Sequence, residues 1–158
     1  MMNATYWKEM SMALPGQISD TSRYNVDGAC VLGGNDHVLA GVAVKVSATQ
    51  EPGGAKTVEP IKAAGEKPVG VAIRSHFATM DIQGDMGYMP GDGINVITVG
   101  RVWMMADGEV IPTFGAQVKI DLAGKVKTDG QITTNWTFAG GKTEWNGTKL
   151  IEVQLHQI

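Results

Sequence analysis

Ile94-Asn95-Val96-Ile97-Thr98-Val99-Gly100-Arg101-Val102-Trp103-Met104-Met105 is the most strongly patterned stretch of this 158-residue chain. Side chains alternate across a strand, so Val96, Thr98, Gly100, Val102 and Met104 are expected on one face. Ile97, Val99, Arg101, Trp103 and Met105 are expected on the other. Both faces are mostly apolar, which predicts a strand that is central to the fold or that meets a partner with one face. Outward from it the chain is punctuated by the turn dipeptides Asp27-Gly28, Asp92-Gly93, Asp107-Gly108, Asp129-Gly130 and Asn146-Gly147. Short β-branched runs between such pairs read as strands.

On the N-terminal side these runs are Ala29–Leu32, Val38–Val46 and Val69–Arg74. In the second, Val38, Ala40, Val42, Val44 and Val46 are expected to share a face. Residues 47–67 read as a polar loop, with a brief helix or strand over Ile61–Lys67, and Thr79–Asp92 as a Gly-, Asp- and Met-rich loop. On the C-terminal side follow Val110-Ile111, Gln117–Leu122, Lys125–Thr128, Ile132–Phe138 and Leu150–Ile158. Many short strands and no long amphipathic helix predict an all-β domain, a compact β-sandwich or β-barrel of jelly-roll or β-tulip type. Residues 1–25 differ. They carry Tyr6, Trp7 and a Pro15-Gly16 break, and cannot form a core alone. They read as an extended N-terminal arm that packs along the domain, residues 26–158, or reaches a neighbour.

Net charge is −3, and the lysines and arginines are scattered singly, so no nucleic-acid footprint is present. No stretch has the length of a transmembrane helix, and no membrane partner is expected. The first twelve residues hold Lys8 and Glu9 and lack the apolar region of a signal peptide. Cys30, the single cysteine, lies in the apolar run Ala29–Leu32 and reads as a small buried hydrophobe.

Catalytic motifs fail on inspection. Gly140-Gly141-Lys142-Thr143 ends like a phosphate loop, but the glycine needed at position 136 is Trp136, and a hairpin turn is expected instead. Asp81–Gly87 has oxygen donors spaced as in a calcium loop, but Met86 stands where the sharp turn needs glycine. His37, His76 and His156 have no metal-ligand spacing. The chain therefore reads as a non-enzyme with no cofactor and no metal. Trp136 and Trp145 flank the expected hairpin turn and pack into the core or form an exposed glycan platform. The platform reading makes the protein a carbohydrate-binding or host-adhesion domain.

Several segments in order carry a family resemblance: Leu14–Asp20 leading into Val26–Leu32, Pro68–Ala72, Tyr88–Val96, Val99–Trp103, Gly115–Val118 and Gly124–Val126. Over residues 14–130 the chain resembles the head decoration, or structural cement, proteins of tailed bacteriophages. Residues 131–158 read as a C-terminal hairpin and strand particular to this protein. The resemblance implies a virion protein, assembled in the host cytoplasm, that binds the outer surface of the expanded capsid, commonly as a homotrimer at or near threefold positions. Its partner would be the major capsid protein, whose neighbouring subunits it would clamp against internal DNA pressure. Tyr6, Trp7, Pro15, Gln17, Ile18, Arg23 and Tyr24 are the expected capsid or subunit contacts, being anchors and an arginine on a segment that cannot fold alone.

Overall fold

A computed structural model describes residues 13–50, 55–81 and 84–156. Eleven strands follow in chain order: β1 (Asn25–Leu32), β2 (Val38–Leu39), β3 (Ala43–Val46), β4 (Lys56–Pro60), β5 (Gly70–Ala72), β6 (Thr79–Met80), β7 (Met86–Tyr88), β8 (Gly93–Met105), β9 (Gln117–Ile120), β10 (Ile132–Trp145) and β11 (Thr148–Leu155). No helix occurs among the described residues, and the fold is all-β. Strands run β1-β4-β3-β5-β8 around a ring that an additional β1–β8 pairing closes, so the barrel alternative holds, with five strands. The sheet then continues from β8 through β11 and β10 to β9, and a separate sheet is ordered β2-β7-β6.

β8 belongs to both halves. Its first half pairs with β1 and β5, and residues from Gly100 to Met105 pair with β11. Both faces are buried by the chain itself, so the strand is central. Ile94 and Val96 pack with Cys30, Leu32, Val44 and Val58 in one core cluster. Val102 and Met104 pack with Trp136, Ile151 and Val153 in a second. The simple alternation expected for this strand needs one correction. Ile94 and Val96 share a cluster with Trp103 and Met105, whereas Ile97 belongs with Val102 and Met104. The phase inverts across Gly100, whose φ of +117° is open to glycine and strained for other residues.

Residues 13–19 pack along the domain. The Gly16 N–H donates to the Trp103 carbonyl at 2.9 Å, the Trp103 N–H to Gln17 at 3.0 Å, and the Ser19 N–H to Arg101 at 2.9 Å. Ile18 bridges Val102 in antiparallel fashion, and Ala13 is buried beside Trp103. Residues 13–19 thus add to the edge of β8 that β11 leaves open, which satisfies backbone groups that would otherwise be stranded near the core.

Other expectations shift locally. Val38–Val46 is two strands, β2 and β3, separated by a turn, and Val46 is exposed. Ile61–Lys67 contains neither helix nor strand. The loop Thr79–Asp92 carries β6 and β7. Asp27-Gly28 lies within β1, at a register shift against β8, rather than in a turn. Gly140-Gly141 is no hairpin turn either. It sits at a bulge inside β10, and the chain reverses at Asn146-Gly147. A Cβ on Gly141 would stand 2.6 Å from Trp103 Cη2, so glycine here admits the indole from β8, two strands away in the same sheet. The C-terminal hairpin is part of the body: β11 pairs with β8 over six positions, and its apolar face fills the second core cluster.

Candidate interaction surface

Cys30 is 2% exposed, and burial, reinforced by the charge of Asp27, pushes its thiol up to about 11. Such a thiol stays protonated and inert at neutral pH. Hydrogen bonds from Lys149 and then Lys142 hold the Glu109 carboxyl below its usual range, an ordinary surface ion-pair cluster. His37, His76 and His156 lie in separate exposed segments. No group of three or more metal-ligating side chains gathers among the described residues. In the Asp81–Gly87 segment, Asp81 Oδ1 accepts the Asp85 N–H at 2.9 Å, closing the β6–β7 hairpin.

The expected contact residues separate into three groups. Tyr6 and Trp7 lie outside the described residues. Pro15 is buried and Ile18 half-buried, both within the segment zipped to β8. Gln17 is exposed, and its Oε1 accepts the Leu14 N–H at 3.0 Å, closing a local turn. Arg23 and Tyr24 are exposed just before β1. Of the two tryptophans expected for a glycan platform, Trp145 alone keeps exposed surface. Trp136 is 1% exposed, in the second core cluster, and cannot meet a sugar. Trp145 is half-buried against the other cluster. The two do not pair across a hairpin, since Trp145 stands opposite Thr148 at the true turn.

The exposed apolar surface lies elsewhere. Phe77, Met80 and Met89 are 58%, 64% and 56% exposed. The small sheet holds them together. Thr79 and Met80 of β6 pair with Gly87 and Met86 of β7, and Val38 of β2 pairs with Tyr88. Tyr88 is buried and its hydroxyl donates to the Ile73 carbonyl and meets Ser75 Oγ at 2.8 Å, which fastens the loop to the barrel. The Phe77 ring lies 3.7 Å from where a Cβ on Gly93 would stand, and Asp92 donates its N–H to the Met89 carbonyl at 3.0 Å. From Ser75 to Gly100 the chain holds Asp81, Asp85 and Asp92 and no lysine or arginine. This segment of chain is therefore apolar and acidic.

A second exposed apolar pair, Ile111 and Phe114, follows the far end of β8. It borders a groove of about 330 Å³ lined by Val110 and Phe138 with Lys119 and Lys127. Single large apolar residues in glycine-rich loops were the available signal for both patches. Their exposure was not readable, because loop side chains follow no period.

The comparisons with known proteins agree with this architecture. The chain of a solved structure titled "The capsid of Myoviridae Phage XM1" superimposes with a TM-score of 0.69 at 17% identity, covering 98% of this chain and 97% of that one. It shares the fold. No curated protein matches this sequence. Residues 2–156 match the family described as structural cement protein (E217 gp24/Pam3 gp6), a span that runs past residue 130 to include the C-terminal hairpin. The chain therefore belongs to the phage structural cement protein family and has a structural role in the capsid.

Proposed function

We propose that this protein binds the outer surface of the expanded phage capsid, as a homotrimer, and clamps neighbouring major capsid subunits against internal DNA pressure, without catalysis. The observation that favours a capsid-facing surface is the patch of Phe77, Met80 and Met89, three large apolar side chains more than half exposed on a loop anchored by Tyr88. Exposed apolar side chains gathered on one rigid loop mark an interaction site. Tyr6 and Trp7 on the N-terminal segment supply further anchors, with Arg23 and Tyr24 beside the start of β1. Individually weak contacts become strong on a lattice through multivalency.

The test is co-sedimentation of purified protein with expanded heads that lack it, with unexpanded heads as control. Saturable binding to expanded heads alone supports the reading, and no binding to either overturns it. A Phe77→Ser, Met89→Ser double variant keeps the fold and is expected to weaken head binding roughly tenfold or more. Equal binding by that variant would exclude the loop from the interface. The mass of the free protein in solution tests the trimer.

A further inference from the structure

The outer edge of β10 is open along its last residues. β9 pairs with β10 no further than Thr137, and the Phe138 N–H is taken by the Ala116 carbonyl. Among the described residues no backbone hydrogen bond continues along that edge to Trp145. The turn Asn146-Gly147 has two residues, with φ of +49° and +78°. A two-residue turn of this kind makes Trp145 and Thr148 a hydrogen-bonded pair. Alternation then makes Thr143 with Leu150 the next such pair, as the register Thr143↔Leu150 requires. The N–H and C=O groups of Lys142 and Glu144 consequently point away from β11, toward the open side.

We infer that this edge is a self-pairing surface: two copies of the chain join their β10 strands antiparallel about a twofold axis at Thr143, extending the sheet across both. A lone lysine on an edge blocks pairing. Here Lys142 and Glu144 sit two positions apart, both exposed and on the same face. A twofold at Thr143 sets each Lys142 opposite the partner's Glu144, and the outward backbone groups of these two residues are those that such a register bonds. The pattern is self-complementary, as an isologous contact requires. Phe114 supplies apolar cover. It is 73% exposed, and its ring lies 3.7 Å from where a Cβ on Gly140 would stand. Gly140 in the same register faces the partner's turn at Asn146. The pairing does not depend on what the protein binds. Among trimers at threefold positions of a capsid it would link neighbours to each other.

Cysteine trapping tests the register. Cα atoms at a non-hydrogen-bonded antiparallel pair lie about 4.5 Å apart, within disulfide range. Purified Thr143→Cys protein under mild oxidation is expected to accumulate disulfide-linked dimer, whereas Thr113→Cys, at a more exposed position, is expected to stay monomeric on a non-reducing gel. The buried thiol of Cys30 does not compete. In the Thr143→Cys background, Lys142→Glu sets like charges opposite each other at two symmetric positions and is expected to lower the dimer yield roughly tenfold. Adding Glu144→Lys is expected to restore it. No faster cross-linking at position 143 than at position 113 would overturn the inference, as would a yield indifferent to charge reversal.

Discussion

Tyr24 rests against Gly100 so closely that a side-chain carbon on the glycine would stand 2.6 Å from Tyr24 Cβ. The contact coincides with the point where β8 stops pairing with β1 and starts pairing with β11. It also coincides with the inversion of the alternation along β8. Gly100→Ala would force a left-handed conformation on alanine and press its methyl into Tyr24. A loss of about 2–4 kcal/mol is expected. Thermal unfolding should fall by roughly 5–15 °C, and an unchanged midpoint would contradict this role.

Trp136 tests the core. It is among the largest fully buried side chains, and the Trp136 N–H meets Thr134 Oγ1 at 3.1 Å. Trp136→Ala is expected to cost about 3–5 kcal/mol in denaturant titration, with loss of native near-ultraviolet dichroism. Any function lost in that variant would reflect unfolding. A stable Trp136→Ala protein would contradict the packing described.

Residues 13–19 belong to the stabilising body of the fold. Protein lacking residues 1–12 is the reference for measuring their contribution. Removing residues 1–19 strips three backbone hydrogen bonds from β8 and leaves the Arg74 N–H without the Gly16 carbonyl. That should cost about 3 kcal/mol or more. Comparing the two truncations by calorimetry isolates the stability supplied by residues 13–19.

Acid lability should be traceable to Glu66. The hydrogen bond from Lys45, with the Lys62 N–H at 2.7 Å, lowers its carboxyl to about 2. A carboxyl depressed in the folded state stabilises fully above its unfolded value of about 4.5, and that contribution is lost as pH falls toward 2. The pair is partly solvated, so the effect is about 1 kcal/mol. Glu66→Gln is expected to flatten the pH dependence of stability between about 4.5 and 2, leaving neutral stability slightly lower. Parallel acid titrations of both proteins would show whether it does.

Much of the fold was legible. The two apolar faces of Ile94–Met105 marked a central strand because only burial on both sides suits such a pattern. Asn146-Gly147 marked a turn because it supplies the left-handed pair a two-residue turn needs, although the hairpin itself was expected at Gly140-Gly141. The site was less legible. Pro15 and Ile18 looked like an arm, since nothing local shows that an irregular segment will zip onto a distant strand edge. Trp136 read as a core residue with a platform as the alternative, because alternation assigns a side chain to a face without saying which face meets the core.

By itself the sequence determined the middle of the long strands β1, β8, β9, β10 and β11, most of the turns, the all-β class and the lack of any catalytic motif, together with the segments that resemble the cement family. Those follow from local rules: backbone alternation, glycine's tolerance of positive φ, and chemistry that needs particular residues at particular spacings. The closure of five strands into a barrel, the change of phase at Gly100 and the exposure of Phe77, Met80 and Met89 were decided only by tertiary structure. So was the open edge at Lys142–Glu144. Each depends on which distant strands share hydrogen bonds, and that pairing is set by the joint burial of two apolar clusters that no single segment can fill.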